Sequence, residues 1–309
     1  MTDGGKKIKT VAVVGTTASG KSGLAVELSL AFGGEVISCD SAQIYRGPSV
    51  ATAKITKDQM KGIPHHLIDY ADPLTEYSCA DYRRDAGRII GEISDRGNLP
   101  VICGGTGLYL NALLRSGEMS PSVPEGIRER LGFMSPDELW EKLAAVDPAS
   151  AEKIHRNNVR RVIRALEIFE GTGMTKTEWD ERSLKGDERF SPLIVIVSFR
   201  DRGRLYEAVD RRVDEMVKNG LFEELEKWDL PRDCPMAGVI GCREGYLVLD
   251  GKMSVSDGVE LIKKNTRNYA KKQLTWFSGT RYPGALRVYA DEDGGADDVL
   301  RAVREHLLG

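Results

Sequence analysis

The chain is 309 residues long, which suggests about two domains at a typical size of roughly 150 residues each. Its 44 Lys and Arg residues against 47 Asp and Glu residues give a net charge of −3, which excludes a generally basic nucleic-acid-binding protein and allows only local basic patches. No apolar run approaches the ~20 residues of a transmembrane helix, so we predict no membrane span.

The cysteines are odd in number, widely spaced and without a C-x-x-C pair. This pattern argues against a disulfide framework and against a zinc site. It favours reduced thiols in a cytoplasmic protein. The five residues are Cys39, Cys79, Cys103, Cys234 and Cys242.

Apolar runs alternate with helical patterns in the first and last parts of the chain. Short β-branched runs bounded by turn residues predict buried strands at 11–14, 35–39, 101–103, 193–198 and 286–289. Helical spacing predicts helices at 21–32, 81–96, 204–227, 255–277 and 296–308. Such alternation is typical of an α/β fold whose parallel sheet carries helices on both faces.

The middle of the chain has a different pattern. Residues 124–169 are helical in spacing with no good strand, and residues 171–190 are polar and read as a loop. We therefore predict an all-helical insertion at 121–189, between a first core segment at 1–120 and a second at 190–309.

A phosphate-binding loop follows the first predicted strand. It matches G-x-x-x-x-G-K-[ST] at every fixed position and lies between a strand and a helix. Glycines let the backbone wrap an anion, the helix N-terminus points at it, Lys21 adds charge and the Ser22 hydroxyl can hold Mg²⁺. The loop is Gly15-Thr16-Thr17-Ala18-Ser19-Gly20-Lys21-Ser22.

Two polar residues follow later strands on the side where parallel sheets bind ligands. Asp40 follows the second strand and can hold a metal, accept a proton or simply form a turn. Thr106 follows the third strand and can bind a substrate or cap a helix. That third strand ends in Gly104-Gly105 with no acidic residue, which argues against an ordinary ATPase.

Several sequence blocks in a fixed order resemble the bacterial tRNA dimethylallyltransferases, over about residues 11–277. Beyond the phosphate loop, the blocks that carry the resemblance are Asp40-Ser41-Ala42-Gln43-Ile44-Tyr45, Gly47 with Ala51-Thr52-Ala53-Lys54, Pro64-His65-His66-Leu67-Ile68-Asp69, Tyr77-Ser78-x-Ala80-Asp81-Tyr82-Arg83, Gly104-Gly105-Thr106-Gly107-Leu108-Tyr109, Arg164-Ala165-Leu166-Glu167 and Tyr269-Ala270-Lys271-x-Gln273-Leu274-Thr275-Trp276-Phe277.

The resemblance implies a P-loop NTPase-like core and a specific reaction. A dimethylallyl group would pass from dimethylallyl diphosphate to N6 of adenosine 37 in tRNAs that read codons beginning with U. It further implies Mg²⁺ as cofactor and a monomeric enzyme. Asp40 would be the general base, Thr106 would bind at the transferring site, and Lys21, Ser22 and Arg212 would hold the diphosphate.

The same resemblance implies a set of tRNA contacts. The base would flip into a channel, where the Asp40 segment reads it. Two runs without an acidic residue, at 153–164 and 261–281, favour contacts with the phosphate backbone, although a solvated helix face is the commoner reason for such runs. The implied or predicted contacts are Asp40, Ser41, Ala42, Gln43, Arg128, Arg160, Arg161, Arg164 and Lys271.

Two other functions compete with this interpretation. A P-loop kinase of small molecules would use the same loop on a nucleotide but leaves both basic runs unexplained. A non-catalytic RNA-binding module would explain the basic runs but leaves the phosphate loop unused.

Overall fold

The computed structural model describes residues 7–114, 123–124, 126–182, 189–279 and 281–309. The chain divides into two compact units, one formed by Met1–Leu113 with Arg189–Gly309 and the other by Leu114–Glu188. The boundary expected at residues 120 and 121 lies outside the described residues. Within those ranges, no helix is long and apolar enough to cross a membrane.

A six-stranded parallel sheet forms the centre of the first unit. In space the strands follow the order β3-β2-β4-β1-β5-β6. In the register of the sheet, Val11 of the first strand lies between Val101 and Leu193. The strands are β1 (Ile8–Gly15), β2 (Gly34–Ser38), β3 (His65–His66), β4 (Leu99–Gly104), β5 (Phe190–Ser198) and β6 (Leu286–Tyr289).

Helices cover both faces of this sheet and also form the described part of the second unit. Those before the second unit are α1 (Lys21–Phe32), α2 (Lys57–Met60), α3 (Cys79–Asp95) and α4 (Gly107–Leu114). The second unit contains α5 (Ile127–Gly132), α6 (Pro136–Val146), α7 (Pro148–Lys153), α8 (Val159–Thr172) and α9 (Lys176–Arg182). Those after it are α10 (Arg202–Lys218), α11 (Leu221–Trp228), a 3₁₀ turn (Met236–Gly238), α12 (Cys242–Leu249), α13 (Val255–Phe277) and α14 (Gly295–Leu308).

Burial on both faces explains why β1 is a continuous apolar run. Val11 and Val13 pack in one cluster with residues of α1 and α14. Ala12 and Val14 point to the opposite face, because side chains alternate along a strand, and they are also fully buried. The helices α3 and α13 contact β1. The predicted α/β fold with helices on both faces of a parallel sheet is therefore confirmed.

Some helices end at the glycine residues that predicted their ends, and others do not. The helix α1 ends at Gly33, which adopts a left-handed conformation with φ 64° and donates its N–H to the Ser29 carbonyl. The prediction of a single helix at 204–227 is wrong. Gly220 separates α10 from α11 with φ 87°, a conformation that interrupts a helix.

The pair His65 and His66 forms an edge strand that was not predicted. It is only two residues long and pairs with β2, so it has no pattern of its own to detect. His66 Nε2 lies 2.6 Å from Glu35 Oε2, and Arg96 Nη2 lies 2.8 Å from the same oxygen. These histidines therefore have a structural role at the edge of the sheet.

The second unit is helical in the residues described, which includes a helix where the sequence predicted a loop. Residues 171–190 were expected to be a loop, whereas they contain α9 and the first residue of β5. A reciprocal cap explains this helix: Glu178 accepts from the Thr175 N–H at 2.7 Å, and Thr175 Oγ1 accepts from the Glu178 N–H at 3.2 Å. The capping pattern T-x-x-E was overlooked in a polar stretch.

Candidate active site

A cavity of about 420 Å³ opens at the carboxyl ends of β1, β2 and β4, within the first unit. This is the edge where a parallel sheet offers loop amides and helix N-termini to a ligand. Its lining comes from the phosphate loop, the Asp40 segment, a turn at 51–53, the end of β4, α10, the segment 238–240 and α13. The lining residues with predicted roles are Thr17, Ala18, Ser19, Gly20, Lys21, Ser22, Asp40, Ser41, Ala42, Gln43 and Arg212.

The phosphate loop has the backbone that its glycines predict. A Cβ at Gly15 would lie 1.8 Å from the Val197 carbonyl oxygen, so only glycine fits there. Ala18 and Gly20 adopt positive φ angles of 61° and 80°, which turn the backbone around the loop. Ser19 Oγ donates to the Thr16 carbonyl at 2.8 Å and holds the loop closed from inside.

Lys21 is a buried ammonium group at the floor of the loop. Its Nζ donates to the Thr16 carbonyl. Burial lowers the pKa of Lys21 to about 8; the charge of Arg212 acts in the same direction, whereas Cys103 and Asp40 raise it. A bound phosphate would favour the charged form, because an anion stabilises a nearby ammonium.

Arg212 reaches the cavity from α10. Its Nη2 donates to the Ala53 carbonyl at 3.0 Å, and Gln43 Nε2 donates to the same oxygen at 3.1 Å. Burial lowers the pKa of Arg212, and the charge of Asp40 opposes that effect. An arginine keeps its proton under such a shift, so two cations, Arg212 and Lys21, line the cavity.

A glutamate outside the cavity holds the turn that carries Ala53. Glu224 Oε1 accepts from the N–H groups of Ser49 at 2.7 Å and Val50 at 3.0 Å, and its Oε2 accepts from Ala51 at 3.0 Å. Sequence reasoning missed Glu224, because its partners lie about 175 residues earlier in the chain and no motif marks it.

Asp40 combines the two roles that were considered for it. Its Oδ1 accepts from the N–H groups of Ala42 at 2.9 Å and Gln43 at 3.2 Å, which is a turn-forming role. Its Oδ2 has no hydrogen-bond partner among the described residues. The carboxylate is therefore fixed in place through one oxygen and retains a second oxygen with full acceptor capacity.

Thr106 lies next to the cavity-lining residue Gly105 but is itself outside the cavity lining. Its Oγ1 accepts from the Ser41 N–H at 2.9 Å and lies 3.2 Å from Ser41 Oγ. The Thr106 N–H donates to the Cys39 carbonyl at 3.1 Å. Thr106 thus connects the end of β4 to the Asp40 segment.

Two side chains of α13, those of Gln273 and Tyr269, also reach the cavity. Gln273 Oε1 accepts from the Thr17 N–H at 2.7 Å, and its Nε2 donates to the Gly105 carbonyl at 3.1 Å. Burial and the charge of Asp40 raise the pKa of Tyr269, while contacts with Thr106 and Gln273 oppose this. Tyr269 also lines the cavity.

The predicted tRNA-contact residues of the second unit divide into paired and exposed groups. Arg128 Nε donates to Glu167 Oε1 at 2.6 Å, and Arg164 Nη1 donates to Glu167 Oε2 at 3.3 Å. Arg160 and Arg161 are exposed at the start of α8. Arg156, in the same basic run, precedes α8 and is therefore not on the helix that carries Arg160 and Arg164.

The second basic run is also partly neutralised. Arg267 Nη1 lies 2.6 Å from Asp210, and Lys263 Nζ lies 2.7 Å from Asp214, both on α10. Because these acidic residues lie on a different helix, the absence of acidic residues within the basic run did not reveal that its cations are paired. Lys271 is exposed on α13.

Comparisons with known proteins agree on one family. A family model described as IPP transferase matches residues 43–280. A tRNA dimethylallyltransferase of Thermoanaerobacter sp. strain X514 is 41% identical over 98% of both chains. The corresponding Bacillus subtilis protein is 42% identical over 88% of both chains.

Solved structures that are similar to this chain come from the same family. A tRNA isopentenylpyrophosphate transferase from Bacillus halodurans matches with a TM-score of 0.71 and 37% identity, over 98% of this chain and 97% of that one. A eukaryotic dimethylallyltransferase acting on tRNA matches with a TM-score of 0.84 and 28% identity, over 98% of this chain and 80% of that one. The chain therefore belongs to the family of tRNA dimethylallyltransferase enzymes.

Proposed function

We propose that the protein transfers a dimethylallyl group from dimethylallyl diphosphate to N6 of adenosine 37, in tRNAs that read codons beginning with U. We place it in the cytoplasm as a monomer. The observation that carries the proposal is that the phosphate loop and Asp40 line the same cavity. Family membership supports the reaction class.

The phosphate loop binds the diphosphate of the donor. The phosphate loop and the N-terminus of α1 line the cavity that would receive the anion, and Lys21 and Arg212 supply positive charge there. Negative charge grows on the diphosphate as it leaves, so these groups stabilise the transition state more than the ground state.

The Mg²⁺ that the family resemblance implies would be held by few protein atoms. No group of three or more His, Cys, Asp or Glu residues in the described ranges could hold a metal ion. Mg²⁺ typically keeps several waters and binds through one or two protein oxygens and the substrate phosphates, which fits the Ser22 hydroxyl in the cavity. When bound there, the ion would neutralise charge on the diphosphate.

Asp40 supplies the general base. The lone pair of an adenine N6 amine is delocalised into the ring, so the amine is a poor nucleophile. As the N6–C1 bond forms, the C1–O bond breaks and its electron pair leaves with the diphosphate. One N6 proton passes to Asp40 Oδ2, a step that typically contributes about 10²–10⁴-fold to the rate.

The base must leave its stack to reach this cavity, at a cost of a few kcal/mol. We propose that Gln43 recognises the flipped base. Its Nε2 donates to the carbonyls of Thr52 at 3.2 Å and Ala53 at 3.1 Å, so its Oε1 remains for the base. Thr106 acts by holding Ser41, next to Asp40.

We propose that exposed cations and the Asp40 segment bind the tRNA. Arg160, Arg161 and Lys271 are exposed and suited to phosphate contacts. Arg128 and Arg164 bind Glu167, and we propose that they contact the tRNA from that fixed position. Ser41 and Ala42 complete the set, because they line the cavity beside Asp40.

The test is a transfer assay with two arms. In the first, the protein, Mg²⁺ and labelled dimethylallyl diphosphate are incubated with an anticodon stem-loop that carries adenosine at position 37. In the second, ATP replaces the prenyl donor. Label in the RNA supports the proposal. Hydrolysis or phosphoryl transfer in the ATP arm, with no label in the RNA, would instead favour the P-loop kinase.

A further inference from the structure

The side chain of Gln273 links the phosphate loop to the end of β4. It is 4% exposed and projects from α13 between the two segments. The orientation of its amide is determined by its partners, because the Thr17 N–H needs an acceptor and the Gly105 carbonyl needs a donor. Both ends of the side chain are therefore used.

The fit around Gln273 is tight. A Cβ at Gly105 would lie 2.1 Å from Gln273 Nε2, so any larger residue there would displace the amide. Ala18 of the phosphate loop packs in a cluster with Leu274 and Ala270, the residues around Gln273 on α13. The loop thus rests on α13 through both a hydrogen bond and apolar contact.

A continuous series of contacts runs from Gln273 to the carboxylate. Gly105 is followed by Thr106, whose Oγ1 accepts from the Ser41 N–H at 2.9 Å. Ser41 directly follows Asp40. Gln273 is therefore linked at one end to the loop for the leaving group and at the other end to the segment that carries the base.

We propose that Gln273 is a positioning residue that sets the separation between the diphosphate and Asp40, and thereby the approach of N6 to C1. This inference rests on the proposed function. Transfer requires reacting atoms to be held close together and aligned, and a misplacement of about 1 Å can reduce a rate about 10²-fold. Gln273 acts through Gly105 and Thr106 and does not touch the reacting atoms.

The rate test uses Gln273→Met, which keeps the length of the side chain and removes its hydrogen bonds with the Thr17 N–H and the Gly105 carbonyl. The single-turnover rate of transfer falls by about 10- to 100-fold, while the affinity for inorganic diphosphate changes by less than about threefold. Gln273→Glu retains the acceptor for Thr17 but loses the donor to Gly105, so it also loses rate. The exposed Thr275→Ala on the same helix serves as the matched control and keeps the wild-type rate.

A double-mutant cycle separates positioning from a loss of folding. If Gln273 acts through Thr106, the effects of Gln273→Met and Thr106→Val on the rate are not additive, whereas those of Gln273→Met and Thr275→Ala are. Additive effects with Thr106→Val, or a wild-type rate in Gln273→Met, would overturn the inference.

A second measurement does not depend on transfer activity. In the wild type, binding of inorganic diphosphate slows backbone hydrogen exchange at residues 104–107 as well as in the phosphate loop. In Gln273→Met, the phosphate loop still responds but residues 104–107 do not. An equal response of residues 104–107 in both proteins overturns the inference. A wild type that shows this coupling but transfers no label would refute only the proposed function.

Discussion

Replacement of Asp40 by Asn tests the proposed base while it preserves the local structure. Oδ1 accepts two backbone N–H groups, from Ala42 and Gln43, and the amide oxygen of Asn can take its place. The new NH₂ group then occupies the position of Oδ2, where it cannot accept a proton. We expect a decrease in kcat of about 10²–10⁴-fold.

The same substitution has calculable side effects. Two charge-assisted hydrogen bonds become neutral ones, which costs about 1 kcal/mol of stability. The charge of Asp40 raises the pKa of Lys21, so Asp40→Asn lowers that pKa below its present value of about 8. The affinity for diphosphate therefore weakens more at pH 8 than at pH 6.5 in the variant.

The assay is single-turnover transfer to the stem-loop, with tRNA binding and thermal unfolding measured in parallel. Asp58→Asn, an exposed carboxylate in the first turn of α2, is the matched control. Asp40→Ala should also abolish transfer while tRNA still binds. Turnover of Asp40→Asn within about threefold of the wild type would refute the assignment of Asp40 as the base.

Three further predictions concern pH and salt. Because burial lowers the pKa of Lys21 to about 8, the affinity for inorganic diphosphate falls as the pH rises through this value. An affinity that does not fall between pH 7.5 and 9.5 in calorimetry would contradict the role of its charge. Burial raises the pKa of Glu35, but hydrogen bonds from Arg96, Asn98 and His66 outweigh it and hold the pKa at about 2. The resulting stability, about 3 kcal/mol, is present above pH 4.5 and is lost as the pH falls towards 2. Chemical denaturation of Glu35→Gln should therefore show a lower and flatter stability across that range, and an unchanged profile would reject the account. If about five phosphates are contacted, the logarithm of the tRNA binding constant falls with the logarithm of salt concentration at a slope near −4, and a slope near zero would exclude those contacts.

Local patterns predicted the parts of the fold that rest on local chemistry. The helix at 21–32 and the strand at 286–289 have the predicted bounds, because glycine signals and apolar spacing lie within each segment. The strand β3 was missed because its two residues are ordered by pairing with β2. The helix α9 was missed because its capping box lies in a polar stretch.

The candidate site shows the same division. The phosphate loop, Asp40 and Arg212 line one cavity and could be named from motifs and resemblance. The supports of the site, Gln273 and Glu224, contact segments about 170 residues away, so their roles depend on the tertiary fold. The pairing of Arg267 with Asp210 is of the same kind, since the acid lies on a neighbouring helix.

The central claim is that a prenyl group is added to N6 of one tRNA adenosine. The most direct measurement is mass spectrometry of the nucleosides from an anticodon stem-loop treated with the protein, Mg²⁺ and dimethylallyl diphosphate. We predict a gain of one C5H8 unit on adenosine when it stands at position 37, and no gain in Asp40→Asn or when guanosine replaces that adenosine. Unmodified RNA with the wild-type protein, or modification at another nucleoside, would contradict the account.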